Sequence, residues 1–227
     1  MGDRNQHLFV EANRDRFVGP FLEIGSKNYG STQDLRAIMG GPDDYVGLDM
    51  ADGDGVDIVL DLTRPFEEID AALGGKRFGT VFCLSVLEHC AQPFAMADTL
   101  TRLLTDGGVL CVSVPWAWQF HGYPSDYWRF SHEGVKLLFP ALTFDATRGK
   151  AALRDGEFEP LDENIGRLPL RTSPHRAAGR GGRAVAAGLM KALGRLPGFD
   201  WLLGHPYVMA PTMISMIGRK DAGAAGE

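Results

Sequence analysis

The first half of the chain alternates short apolar runs with amphipathic stretches, and that alternation predicts an ordered series of elements. Phe21-Leu22-Glu23-Ile24 reads as a strand ending at Gly25. Ser31-Thr32-Gln33-Asp34 reads as a capping box, with a helical stripe of Leu35, Ile38 and Met39 behind it and a stop at Gly40-Gly41-Pro42. Tyr45–Leu48, closed by Asp49, and Val56–Leu60, closed by Asp61, predict the second and third strands. Thr80–Leu84 predicts a fourth strand, and Pro93–Leu104 a helix with proline in its first turn. Asp106-Gly107-Gly108 predicts a turn into a fifth strand, Val109–Val114. Continuous apolar strands separated by helices mark a parallel sheet covered on both faces. The expected architecture is therefore a doubly wound, mostly parallel α/β sheet.

Beyond Pro115 the pattern changes. Residues 116–130 are rich in aromatics and turn formers and long for a plain connection, which predicts a functional lid. Ser131–Phe139 reads as a helix and Leu142–Ala146 as a strand. An irregular and helical insertion is expected over 149–205. Within it, a helix near Arg183–Leu196 carries Val185, Leu189, Met190, Leu193 and Leu196 on one face, able either to pack on the sheet or to meet an anionic membrane surface. Thr212–Gly218 predicts the last strand, and 220–227 a flexible Ala/Gly tail.

Length and composition narrow the picture. The 227 residues, 44% apolar, fit one domain over 1–227 with a real core. The polar, charged start at Met1–Arg16 lacks the apolar middle of a secretory signal, so a cytoplasmic protein is expected. The three cysteines, Cys83, Cys90 and Cys111, read as reduced thiols, and no cysteine or histidine spacing predicts a metal site. A net charge of −6 argues against nucleic-acid binding. Seven basic and no acidic residues lie between Arg167 and Arg195, a solvated face or a peripheral contact with an anionic membrane.

Ligands of open parallel sheets sit beyond the carboxyl ends of the strands, here marked by Gly25, Asp49, Asp61 and Ser85. Asp49, 24 positions after Gly25, is spaced to hold ribose hydroxyls, and Asp61 to meet an exocyclic amine such as that of adenine. Met50 and Leu62 adjoin them. The first turn places Lys27 where a dinucleotide site needs its second glycine, which disfavours NAD and a pyrophosphate cradle.

Glu23-Ile24-Gly25, Asp49, Asp61, Ser85-Val86-Leu87-Glu88-His89 and the run from Leu104 to Pro115 together resemble class I S-adenosylmethionine-dependent methyltransferases. The resemblance covers roughly Phe21–Phe130. It implies a Rossmann-like, seven-stranded methyltransferase fold with S-adenosylmethionine as cofactor. By position it implies Glu23 and Gly25 at the methionine moiety, Asp49 at the ribose, Asp61 near the adenine and Ser85 near the sulfonium. The segment from His121 to Phe130 resembles a branch associated with small-molecule or saccharide modification. Lys27 departs from the family's glycine and is itself able to meet the methionine carboxylate.

An oxygen or nitrogen acceptor has to lose a proton, and histidine titrates near neutral pH. His121 is the first candidate base, with Asp126 and His89 behind it. Each residue also has a bland reading. Glu23 reads as a paired structural carboxylate, Asp61 as a turn cap, and Glu88-His89 as a helix-start pair serving local amides. Asp126 and Arg129 read as a bridge bracing the lid, and the lid aromatics as core. The expected function is methyl transfer to a small-molecule or saccharide oxygen or nitrogen. The alternative is a non-catalytic cofactor-binding or regulatory protein of the same fold.

Overall fold

The computed structural model describes residues 4–30, 34–41, 43–122, 124–154, 156–162, 165, 172–177, 179, 181–204 and 210–223. Ser31–Gln33 and Pro42 of the expected cap and stop lie outside these residues, as do Arg167, Arg171 and Arg180 of the basic segment and 224–227 of the expected tail. The chain forms two compact units, Met1–Leu161 with Thr212–Glu227, and Asp162–Pro211.

The strands of the larger unit are β1 (Phe21–Ile24), β2 (Tyr45–Asp49), β3 (Ile58–Val59), β4 (Phe78–Leu84), β5 (Leu104–Pro115), β6 (Leu142–Phe144), β7 (Lys150–Arg154), β8 (Glu157–Pro160) and β9 (Met213–Lys220). They join one sheet in the order β3-β2-β1-β4-β5-β9-β7-β8, with β6 also on β9. The first five pair in parallel, and β9 returns antiparallel against β5. Both β6 and β7 pair with β9, at Lys220–Gly218 and Ser215–Met213, so they fill one strand position in two pieces. The expected seven-position sheet is thus extended by one edge strand, β8.

Central β4 is buried at every position, which is why its sequence is nearly all apolar rather than alternating; its one polar residue, Thr80, donates its hydroxyl to the Val18 carbonyl at 2.9 Å. Phe82 anchors the core, edge-on to Phe17 at 5.1 Å and stacked with Phe21 at 6.3 Å. A wholly buried phenylalanine contributes roughly 1.5–3 kcal/mol.

The helices of this unit are α1 (Arg4–Ala12), α2 (Leu35–Ile38), α3 (Phe66–Ala72), α4 (Pro93–Leu103) and α5 (His132–Leu138). In α4 the apolar spacing holds: Pro93, Met96, Ala97, Leu100 and Leu103 face inward. Ser131 caps α5 by accepting the Gly134 N–H at 3.0 Å.

Several expectations are corrected. The cap of α2 is Asp34, which accepts the Ala37 N–H at 3.3 Å. The third strand shrinks to two residues, because the Asp57 carboxylate rather than a ladder carbonyl takes the Gly47 N–H, at 2.7 Å. Asp106-Gly107-Gly108 is not a turn before the fifth strand but an irregularity inside β5, where the register with β4 shifts. The stretch expected to be irregular from Gly149 starts with the β7–β8 hairpin. The N-terminal helix α1 and the helix α3 escaped the sequence reading. Of the nine residues of α1, Asn5, Gln6 and His7 are buried beside Phe9 and Val10, so it shows little apolar stripe.

The smaller unit contains α6 (Thr172–Ala177), α7 (Gly181–Leu193) and α8 (Trp201–Gly204). The expected apolar face of α7 is not the buried one. Val185, Leu189, Leu193 and Leu196 are exposed, while Ala184, Ala187 and Met190 are buried. Among the described residues no helix is long and apolar enough to cross a membrane.

Candidate active site

β1 lies between β2 and β4, so the chain leaves β1 toward one side and returns on the other. Such a reversal of strand order opens a crevice at the carboxyl ends of the strands. A cleft of 730 Å³ lies there, lined among others by Gly25, Asp49, Met50, Asp61, Leu62, Ser85 and His89. A second cavity of 310 Å³ is lined by Glu23 and Lys27, together with Gly25 and His7. Gly25 belongs to both.

The first turn is built for close approach. Gly25 has φ 74°, a left-handed conformation that a side chain disfavours, and donates its N–H to Leu48 at 2.8 Å. Gly47 in β2 is equally constrained, since a Cβ there would stand 2.3 Å from the Gly55 carbonyl oxygen. Asp49 ties the turn to its own loop, accepting the Lys27 N–H at 3.3 Å and the Ala51 N–H at 3.0 Å. Asp61 accepts the backbone and hydroxyl donors of Thr63 at 2.9 and 2.7 Å, all through Oδ1. It caps its turn and lines the cleft at once.

Glu23 occupies the smaller cavity rather than the larger one and accepts the Tyr45 hydroxyl at 2.7 Å. Burial raises its pKa, and raises that of Tyr45 too. Arg36 lies 4.9 Å above the Tyr45 ring and pairs with Asp57. The Lys27 ammonium stands 5.6 Å over the Tyr29 ring, whose residue lines the larger cleft. Ser85 has φ 55°, uncommon for a residue with a side chain, and accepts the Gln6 amide at 2.7 Å. Gln6 is a site residue the sequence did not reveal, because α1 itself was not visible.

After Ser85 the chain forms a short 3-10 turn, Leu87–His89, which buries Glu88 completely. Neither Glu88 carboxylate oxygen has a partner in strict hydrogen-bond geometry, although its own backbone N–H and the Ser85 side chain lie near enough to favour the charged form. Burial pushes its acid up to about 7, offset only in part by its own backbone and the Ser85 side chain. His89 Nδ1 lies 2.6 Å from the Ser125 carbonyl, so Nδ1 carries the proton and donates, leaving Nε2 with its lone pair. That Nε2 is buried, unpartnered and 3.9 Å from Glu88 Oε1. Burial lowers the His89 pKa, which favours the neutral ring.

The lid, residues 116–130, is fastened rather than loose. Its Tyr127 N–H donates to the Glu88 carbonyl at 2.8 Å, and the Trp128 indole to the Cys90 carbonyl at 2.8 Å. Asp126 accepts both Arg129 nitrogens, at 2.5 and 2.8 Å, and the His121 N–H at 2.9 Å. The Arg129 guanidinium beside Asp126 holds its carboxyl well below the usual range. Asp126 therefore has the geometry of the brace. His121 packs edge-on against His89 at 4.9 Å, with its Nδ1 3.2 Å from both the Gln119 carbonyl and Asp126 Oδ2. Neither His121 nor Asp126 lines the cleft, whereas Gly122, Pro124 and Tyr127 do. Most lid aromatics are not core: Trp118, Phe120, Tyr127 and Trp128 are exposed, whereas Phe130 is buried.

No protein-family model matches the chain, and no curated protein matches it in sequence. Solved structures do match. The fold is similar to that of a SAM-dependent methyltransferase from Archaeoglobus fulgidus, with a TM-score of 0.57 and 15% identity over 96% of this chain and 95% of that one. It is also similar to the 1,6-didemethyltoxoflavin-N1-methyltransferase of Burkholderia thailandensis, solved with 1,6-didemethyltoxoflavin and S-adenosylhomocysteine bound. That match has a TM-score of 0.54 and 10% identity, over 96% of this chain and 77% of the other. These likenesses show the fold: the chain shares the Rossmann-like fold of these two methyltransferases.

Proposed function

We propose that the protein transfers the methyl group of S-adenosylmethionine to an oxygen or nitrogen of a small-molecule or saccharide acceptor. The convergence of the Asp49 and Asp61 carboxylates on one 730 Å³ cleft at the strand ends carries this reading. The residues fit an adenosine-type group: carboxylates to accept hydroxyl and amine protons, Met50 and Leu62 to cover an aromatic face, and a glycine turn for close approach. Asp49 holds the ribose, Asp61 the adenine edge and Ser85 the sulfonium side. Gly25, shared by both cavities, receives the methionine end, with Glu23 and Lys27 behind it.

The bound cofactor supplies an activated methyl group and a good leaving group. The chain's own residues align the acceptor for in-line attack, exclude water and take up the acceptor's proton. His89 lines the cleft with an unprotonated Nε2, and Glu88 and His121 stand beside it. This cluster, rather than Asp126, receives the proton. Asp126 and Arg129 hold the lid that carries His121. The Burkholderia thailandensis N1-methyltransferase of the same fold supports a small-molecule acceptor.

Calorimetric titration with S-adenosylmethionine, S-adenosylhomocysteine and NAD tests the cofactor. Binding of the first two and none of NAD is expected, and no binding of either overturns the reading. Transfer of radiolabelled methyl to members of an acceptor library tests the reaction. Tight S-adenosylhomocysteine binding with no transfer to any acceptor would favour a non-catalytic protein of this fold.

A further inference from the structure

Glu88, His89 and His121 each present one ligand atom, and these atoms lie within 4.8 Å of one another. From this geometry we propose that they hold a first-row divalent transition metal, at a site of two imidazoles and one carboxylate. A filled tetrahedral site with bonds of about 2.1 Å places its ligand atoms about 3.4 Å apart, so closing this one requires a small side-chain rotation.

Two observations besides proximity point to a cation. The Glu88 carboxylate is wholly inaccessible and lacks a hydrogen-bond partner on either oxygen, and His89 Nε2 is buried and equally unpartnered. Burying a carboxylate without a partner is costly, and folded proteins meet that cost with an opposing charge or a metal. The second observation is the state of the imidazoles. Both Nδ1 atoms face oxygen acceptors, Ser125 O for His89 and Gln119 O with Asp126 for His121. Each ring thereby presents Nδ1 as the donor and turns Nε2 away from it, the outer-shell arrangement that orients metal-binding histidines. In this arrangement Asp126 is a positioning residue for His121.

Three protein ligands leave a coordination position open, and His89 lines the cleft. Resting on the methyltransferase reading above, that open position takes the acceptor's oxygen and favours its deprotonated form, the proton passing to solvent because the ligand nitrogens, once on the metal, no longer serve as the base. The mixed imidazole–carboxylate set suits zinc, iron, manganese or cobalt better than calcium or magnesium.

The test is titration of the purified full-length protein with Co²⁺, read by its visible absorption, and competition by Zn²⁺, with S-adenosylhomocysteine affinity measured on the same samples. One equivalent of metal is expected to bind at low micromolar concentration. Glu88→Gln and His121→Ala should each weaken it by at least the roughly tenfold to hundredfold that losing an outer-shell partner costs. Asp126→Asn should weaken it about tenfold. His121 lies on the accessible lid, so its variant decides the matter even if Glu88→Gln does not fold. Absence of binding in the wild type, or equal binding in wild type and His121→Ala, overturns the metal site. Intact S-adenosylhomocysteine binding in that case leaves the methyltransferase reading standing. Metal binding without S-adenosylhomocysteine binding supports the site and overturns the cofactor reading instead.

Discussion

Asp49 shows how much one side chain carries at this site. Its two oxygens accept Lys27 and Ala51 amides, so the carboxylate is held still at the rim of the cleft. A fixed carboxylate meets a ribose hydroxyl without first being ordered, and hydrogen bonds to charged groups contribute roughly 1.5–3 kcal/mol each. Asp49→Ala should therefore weaken S-adenosylhomocysteine binding by about tenfold to hundredfold, with the domain still folded. Calorimetry together with a thermal melt checks this, and unchanged affinity removes the ribose assignment. Glu23 makes a different prediction. Burial raises its pKa above the 4.5 of a free glutamate, so above pH 4.5 the unfolded chain binds fewer protons there than the folded one. Stability from this residue is complete below pH 4.5 and is lost as pH rises through the raised folded value. Tyr45 is its hydrogen-bond partner, Arg36 favours its charged form and Asp34 opposes it. Glu23→Gln keeps the Tyr45 bond without the charge. It should melt higher than wild type at neutral pH, with the difference vanishing toward pH 4.5 in a series of melts.

At the scale of elements, the lid and α1 matter most. The lid's hold depends on Asp126, whose side chain is only 1% exposed and gathers Arg129 and the His121 amide. Arg129 in turn donates to the carbonyls of Trp118 and Gln119 and so ties the two limbs of the loop. Asp126→Asn removes the charge from this brace, and amide hydrogen exchange at Tyr127 and Trp128 should accelerate by about tenfold or more. Exchange at wild-type rates would assign the hold to the backbone bonds with Glu88 alone. The helix α1 brings Gln6 onto Ser85, the residue with a left-handed backbone at the end of β4. Gln6 is fully buried, and its amide bond to Ser85 helps keep that side chain in one orientation.

For the whole molecule, one consequence follows from a cleft assembled out of β1, β2, β4 and the turn after it. A ligand there binds only when these elements are in place, so it stabilises the fold. S-adenosylhomocysteine at about one hundred times its dissociation constant should add roughly 2.7 kcal/mol, a rise in melting temperature on the order of 5–10 °C. NAD should leave the melt unchanged. A shift with NAD but not with S-adenosylhomocysteine would reverse the cofactor assignment.

The sequence by itself determined the parallel core and the residues standing at its strand ends. Gly25, Asp49, Asp61 and Ser85 follow apolar runs, and each of the first strands and α4 is written in consecutive residues. Periodicity reads such local patterns directly. The tertiary structure alone decided what depended on distant partners. A mostly polar N-terminal segment is a buried helix because Gln6 meets Ser85 across 79 positions of chain. The β7–β8 hairpin exists because β9, far along the sequence, offers its edge. Asp57 shortened β3 through a side-chain bond that no pattern announces. Of the three candidate bases, His121 stands against His89, while Asp126 is engaged by Arg129 and by the His121 amide. Glu88, adjacent to His89 in sequence, gained its significance only from burial without a partner. Local chemistry is written along the chain, but which polar groups are buried together is fixed only when the sheet, the turn after β4 and the lid close on one another.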